Sequence, residues 1–227
     1  MMTPDSKDML KTEVLFEPCR TIAWSYLTSF IWPWEALPGI CDAILEIGAA
    51  LDSDDYEEHP DNVWIHKGAS VAPSASIGKN IIIDAGAEVR HGAFIRENAL
   101  VGAGSVVGNS TELKNVILFN EVQVPHYNYV GDSILGFRSH MGAGSITSNV
   151  KSDRSLVTVS FGRTKIDTNL KKFGAVLGDF VEIGCNSVLN PGAVIGPRAS
   201  VYPLSMVRGY VPSGSIYKRQ GEIAEKL

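Results

Sequence analysis

One string in this 227-residue chain brings together side chains that can move protons and hold hydroxyls: His126-Tyr-Asn-Tyr129-Val-Gly131-Asp132. An imidazole, with a reference pKa near 6.5, can take a proton from an ammonium at neutral pH, a role that typically contributes about 10²–10⁴-fold to a rate. Lys114 stands twelve residues before His126, Arg96 eighteen before Lys114, and Asn149 twenty after Tyr129. Cations on rigid strands suit a phosphate, each charge-assisted hydrogen bond to it being worth roughly 1.5–3 kcal/mol. Tyr129 and Asn149 carry donors and acceptors, as the orientation of hydroxyls requires. Taken singly, a histidine beside a turn reads as a hydrogen-bonded structural residue, and Arg96 and Lys114 read as surface charges.

The elements that position them follow from a repeat. An aliphatic residue recurs at every sixth position: Ile65, Val71, Ile77, Ile83, Val89, Ile95, Val101 and Val107, then again Leu177, Ile183, Leu189, Ile195, Val201 and Val207. A small residue follows four places later at most of them (Ala69, Ala75, Ala87, Ala93, Ala99, Ser105), with Ile81 and Val181 as exceptions. Six fits neither a 3.6-residue helix nor a two-residue strand alternation. A triangular coil explains it: three hexads close one circuit, the aliphatic residue fills the lumen, and successive circuits pair in parallel at about 4.8 Å. The chain is therefore expected to be all-β, a left-handed parallel β-helix, against the usual right-handed crossover rule. Glycines that follow the lumen position, such as Gly78, Gly108 and Gly184, are expected to relieve tight turns.

Two segments leave this phase. Residues 1–60 read as a small helical segment, with Ile40, Ile44, Ile47 and Leu51 on one helical face and a charged linker, Asp52 to Glu58, after it. Residues 150–172 are polar or basic and read as a loop inserted into the coil, of the kind that carries function on rigid scaffolds. The expected organisation is thus 1–60, a β-helix over 61–218 carrying that loop, and a tail over 219–227. Residues 109–149 keep only loose six-residue phase, and the chemistry lies there.

Three strings in that region, Gly108-Asn-Ser-Thr-Glu-Leu-Lys114, the His126–Asp132 string and Gly142-Ala-Gly-Ser-Ile-Thr-Ser-Asn149, resemble the acetyltransferase half of the bifunctional enzyme that makes UDP-N-acetylglucosamine. The segment Leu170-Lys-Lys-Phe-Gly-Ala-Val-Leu-Gly178 is similar in style to archaeal bifunctional sugar-1-phosphate nucleotidylyltransferase/acetyltransferases, and the likeness covers roughly 62–218. It implies an acyltransferase that moves an acetyl group from acetyl-CoA to the amine of a glucosamine 1-phosphate-like acceptor, in the synthesis of nucleotide-sugar and cell-envelope precursors. Carried over, His126 is the general base, Arg96 and Lys114 hold the sugar phosphate, and Tyr129 and Asn149 contact the sugar. A second sugar-contacting Asn of that family falls on His140, which changes what the acceptor meets. The resemblance further implies a homotrimer with acyl-CoA between neighbouring coils, Lys171, Lys172 and Lys218 being candidates to meet its phosphates. Residues 1–60 carry no Gly-rich uridyltransferase signature, so pyrophosphorylase activity is not expected of this chain.

Composition narrows the alternatives. Twenty Lys and Arg against 25 Asp and Glu give a net charge of −5, and no basic stripe interleaved with aromatics offsets it, so no nucleic-acid partner is expected. The three cysteines, Cys19, Cys41 and Cys185, form no CxxC and no disulfide framework, which suits a cytoplasmic setting. The N-terminus lacks a basic run followed by an apolar one, and Thr21–Leu37 is interrupted by Ser, Thr, Pro and Glu, so no membrane insertion is expected. Two other readings share the coil. One is a non-catalytic scaffold or sugar-phosphate sensor. The other is a zinc enzyme of the γ-carbonic anhydrase kind, which needs three histidines at one metal; the five here are dispersed, and no metal site is expected.

Overall fold

The computed structural model describes residues 7–226. The hexapeptide phase becomes a parallel β-helix of about 9 turns, with short strands on three faces. Strands such as Ser70–Val71, Glu88–Val89, Gln123–His126, His140–Met141 and Glu182–Ile183 stack in parallel as the first face. Ser76–Ile83, Phe94–Val101, Glu112–Leu118 and Tyr129–Leu135 each run along the second face, bend, and continue on the third. The lumen is dry and aliphatic: Val89, Ile95, Val101, Val107, Leu113, Leu118, Val124, Val130, Leu135 and Met141 are at most 1% exposed. The loose phase of residues 109–149 has a specific cause. From Leu113 to Leu118 and from Val130 to Leu135 the lumen positions step by five, because Ile95 pairs with Leu113 while Glu97 pairs with Lys114. One residue is lost at the bend between the second and third faces, which leaves Arg96 without a counterpart on the next turn.

The bends follow a rule that the six-residue pattern does not reveal. Most bends use a residue in the left-handed region, and these residues stack. Between the second and third faces the stack is Asn62, Asn80, Asn98, Asn115 and Asp132, with φ between 47° and 58°. Asn and Asp are the non-glycine residues that tolerate this region best. Their carboxamides link successive turns: Asn62 Nδ2 donates to Asn80 Oδ1 at 2.9 Å and Asn80 Nδ2 to Asn98 Oδ1 at 3.0 Å. The glycines after the lumen position have a different reason from the one expected. Gly78 and Gly108 do not have positive φ; a Cβ there would run into the backbone of Arg96 and Pro125 on the next turn. They are required by close stacking rather than by turn conformation.

The third face is covered, the other two largely bare. Outward-pointing Ile82, Leu100, Ile117 and Ile134 are at most 1% exposed, because the helix Ile40–Ala49 and the 3₁₀ turn Pro33–Gly39 pack over those strands. Each such side chain contributes roughly 1.5–3 kcal/mol by leaving water. Ile40 and Ile44 face this core as expected, Ile47 and Leu51 lie at its edge, and Gly48 lets the Trp64 ring approach. The inserted segment leaves after Ile146–Thr147 and returns at Ala175–Leu177. It does not stand away from the coil: its hairpin, Thr158–Phe161 with Thr164–Asp167, lies back on the third face, burying Val157 and Val159 and setting Phe161 against Tyr210 at 5.2 Å.

Antiparallel pairs close the two ends. The expected linker contains the strand Tyr56–His59, paired with Val63–His66, and the expected tail contains Glu222–Glu225, paired with Ser215–Arg219. Both occupy sheet ends that would otherwise offer unpaired backbone groups. Among the described residues no helix is long and apolar enough to cross a membrane. Cys19, Cys41 and Cys185 are free thiols.

Candidate functional site

The residues singled out by the resemblance divide between two places on the coil. Lys114, Tyr129 and Asn149 come together at the bend between the second and third faces. They meet around Asp132, which was part of the string but not among the expected site residues. Lys114 Nζ lies 3.0 Å from Asp132 Oδ1, Asn115 Nδ2 donates to the same oxygen at 3.2 Å, and Asn149 Nδ2 donates to Oδ2. Asn149 Nδ2 also lies 3.3 Å from the Tyr129 hydroxyl. The Lys114 and Asp132 side chains are only 15% and 6% exposed. A carboxylate so enclosed is tolerable because an ammonium and two carboxamides meet it. Burial pushes the Tyr129 phenol above its ordinary pKa, helped by the charges of Asp132 and Glu112 and opposed by Asn149 and Arg96. Tyr129 therefore stays a neutral donor and acceptor at physiological pH.

Two features qualify this cluster chemically. Asn115 Nδ2 also donates to the Leu37 carbonyl at 3.1 Å, so the N-terminal segment is fastened to the same corner. Arg96 is not part of the Asp132 network. It sits on the neighbouring turn with Nη1 2.9 Å from Glu112 Oε1, an exposed pair. Asp132 and Asn115 were legible in principle: both occupy the left-handed bend, where an Asx ladder is expected once the coil geometry is known.

His126 and His140 lie elsewhere. His126 ends the first-face strand Gln123–His126, is exposed, and its imidazole has no hydrogen-bonding or ionic partner among the described residues. Its own N–H donates to Asn128 Oδ1 at 3.1 Å, a contact that shapes the turn. His140 lies on the next turn of the first face, opposite Gln123, with Nδ1 2.8 Å from Glu182 Oε2. Lys171 and Lys172 are exposed where the inserted segment rejoins the coil. Lys218 is exposed near the C-terminal end and lies 3.9 Å from Glu222. Within one chain, then, the imidazoles and the Asp132 cluster occupy different edges. No three His, Cys, Asp or Glu side chains gather to hold a metal among the described residues.

Residues 78–201, more than half of the chain, match the family described as the GMPPB C-terminal domain. The chain belongs to that family. It is also similar to a bifunctional protein GlmU of Methanococcus vannielii, 36% identical over 53% of this chain and 29% of that one. A GlmU of Methanococcus maripaludis is 34% identical over 73% of this chain and 40% of that one. A bifunctional sugar-1-phosphate nucleotidylyltransferase/acetyltransferase of Sulfurisphaera tokodaii is 33% identical over 49% and 28%. The chain thus spans less than half the length of the curated relatives it matches. The acetyltransferase domain of PglB from Neisseria gonorrhoeae, solved with acetyl coenzyme A, covers 68% of this chain and 53% of its own at 19% identity and a TM-score of 0.32. Family and sequence likeness agree on the hexapeptide coil and on the resemblance drawn from the His126, Lys114 and Asn149 strings.

Proposed function

We propose that this chain transfers an acetyl group from acetyl-CoA to the amine of a sugar phosphate related to glucosamine 1-phosphate. The observation that carries this reading is the Asp132 corner, where Lys114, Tyr129 and Asn149, separated widely in sequence, are locked in fixed positions on neighbouring turns. Lys114 keeps ammonium donors beyond the one facing Asp132, and a phosphate oxygen can take them. The Tyr129 hydroxyl and the Asn149 carboxamide suit the hydroxyls of a sugar ring. Names among the relatives, GlmU and a sugar-1-phosphate nucleotidylyltransferase/acetyltransferase, favour the same chemistry.

In this reading Arg96 joins Lys114 on the phosphate after leaving Glu112, and Lys171, Lys172 and Lys218 meet the phosphates of acetyl-CoA. The resemblance gives His126 the task of taking the ammonium proton and places His140 against the acceptor. The imidazoles and the Asp132 corner occupy different edges of one chain, so a shared site between copies in a cytoplasmic homotrimer is part of the proposal. Thiol release from acetyl-CoA, screened across amino-sugar phosphates and nucleotide amino sugars, tests the activity. Release that saturates with glucosamine 1-phosphate is expected, and silence with every amine would remove the reading. Light scattering tests the trimer; a stable monomer at micromolar concentration contradicts the shared site.

One observation favours a second reading, a sugar-phosphate sensor. The Leu37 carbonyl holds Asn115 and the N-terminal segment lies over the corner, so a bound phosphate would report on that segment without chemistry. Binding of glucosamine 1-phosphate with no thiol release is its signature.

A further inference from the structure

We infer that His140, oriented by Glu182, is the group that accepts the ammonium proton in the acyl transfer, in place of the His126 that resemblance suggests. The inference rests on the proposed acetyl transfer and assigns its proton. Five histidines are present, and their surroundings separate them. His66 Nδ1 accepts the Gly68 N–H at 2.9 Å, a turn contact, and His91 Nδ1 lies 2.7 Å from the Ser74 hydroxyl. His59 is 3.8 Å from Glu57, beyond hydrogen-bond reach, and His126 has no side-chain partner among the described residues. Among the described residues only His140 has a ring nitrogen within hydrogen-bond distance of a carboxylate, 2.8 Å from Glu182 Oε2.

That contact fixes the tautomer. An ionised carboxylate can only accept, so Nδ1 carries the hydrogen and Nε2 is left with its lone pair. A carboxylate that holds one ring nitrogen while the other faces outward is the arrangement that makes a histidine an oriented base. The pair forms because the strands His140–Met141 and Glu182–Ile183 are neighbours in register, His140 opposite Glu182. Its surroundings suit an amine. The two side chains line an open groove of about 520 Å³ with Gly104, Glu121, Gln123, Arg138 and Phe180. Glu121 and Arg138 neutralise one another at 2.6 Å, so Glu182 leaves the groove net acidic and attractive to an ammonium. The His140 side chain is 36% exposed, enough for Nε2 to be reached.

The step balances. The ammonium loses one proton to His140 Nε2 and its nitrogen attacks the thioester carbonyl. A C–N bond forms and the C–S bond breaks; the leaving thiolate takes the proton from the imidazolium to become the CoA thiol, and the second proton shed by the nitrogen passes to solvent.

The test is thiol release from acetyl-CoA with glucosamine 1-phosphate as acceptor, on the full chain and on His140→Asn, His140→Ala, Glu182→Gln and His126→Asn. His140→Asn should lower kcat roughly 10²-fold with little change in KM. Glu182→Gln should lower kcat about tenfold or more while leaving the fold intact. Added imidazole should restore part of the rate to His140→Ala, which a merely structural role would not permit. His126→Asn sets the two imidazoles against each other, its loss of kcat being expected to be much smaller than that of His140→Asn. An active chain whose His140→Asn form keeps full kcat, or whose His126→Asn form loses the 10²-fold instead, overturns the assignment and leaves acetyl transfer standing. A chain silent with every amine removes both.

Discussion

The Asp132 corner and the His140–Glu182 pair are built alike and do opposite things. Both stack polar side chains from successive turns of the coil at hydrogen-bond distance. At the corner the carboxylate is committed: Asp132 receives Lys114, Asn115 and Asn149, and Asn115 also holds Leu37 of the covering segment. On the first face no described residue covers the pair or bonds the second imidazole nitrogen. A polar ladder on this scaffold therefore fixes its groups in place where a face is roofed, and leaves a ring nitrogen open to take a proton where it is bare. Burial decides which, and sequence spacing alone cannot.

The largest expected effect follows from that difference. Asp132→Ala leaves the Lys114 ammonium enclosed without its carboxylate, and removing one partner of a buried pair costs roughly 3–5 kcal/mol. Urea denaturation followed by circular dichroism measures it. A loss below about 1 kcal/mol would mean the corner is as wet as the first face, and the contrast between them would fail.

A second prediction concerns the fastening of the cover. Asp179 is 2% exposed, and its carboxylate accepts the backbone N–H groups of Glu17 and of Phe137, the latter at 2.7 Å. Burial pushes its pKa up to about 6; the two N–H donors and Arg20 oppose the rise, and Glu17 adds to it. A carboxyl whose pKa is raised on folding binds more protons folded than unfolded between about 4 and 6, so stability falls as pH rises through that window. A shift of this size corresponds to about 3 kcal/mol at neutral pH. Asp179→Asn should flatten this part of the stability profile measured at pH 4.5 and pH 7.5. An unchanged profile would show that the N-terminal cover is not held through this carboxyl.

What the sequence disclosed follows the same division. The lumen residues were legible because a narrow interior tolerates only aliphatic side chains at a strict interval, as Val89 to Val107 do. The insertion was legible because it abolishes that interval. The bends were not, since Asn80, Glu121, Arg138 and Phe180 share a left-handed φ but no side-chain chemistry. The strand Tyr56–His59 reads as charged linker because an end strand facing water needs no apolar pattern. Lys114, Tyr129 and Asn149 were singled out through the resemblance of their strings, whereas Asp132, the partner of Lys114 and Asn149, emerged only with the corner. Glu182 was hidden for a topological reason: the inserted segment puts it 42 residues after His140, although the coil makes them neighbours.

A smaller effect tests whether the exposed cations serve acetyl-CoA. Lys171 and Lys172 are exposed to solvent, where each contact with a phosphate contributes on the order of 1 kcal/mol or less. Replacing both by Ala should raise KM for acetyl-CoA by roughly three- to tenfold and more weakly at high salt, with kcat and melting temperature unchanged. A KM that does not respond would detach the base of the insertion from acetyl-CoA binding.

The smallest expected effect sharpens the opening contrast most. The Glu182 side chain is 56% exposed and that of His140 36%. Solvent screens such a pair, and ordering two exposed side chains offsets much of its attraction, so its net worth is about 0–1 kcal/mol. Glu182→Gln should therefore leave urea stability nearly where it was, and 1 M salt should erase whatever difference remains. The same substitution is expected to lower kcat for thiol release about tenfold or more, because it changes what the imidazole is hydrogen-bonded to rather than what holds the coil together. Stability and rate must then separate: Asp132→Ala moves stability first, Glu182→Gln moves rate alone. If Glu182→Gln instead costs several kcal/mol and its rate loss tracks the unfolded fraction, the first-face pair is another structural rung. The distinction between roofed and bare ladders would then carry no functional meaning on this coil.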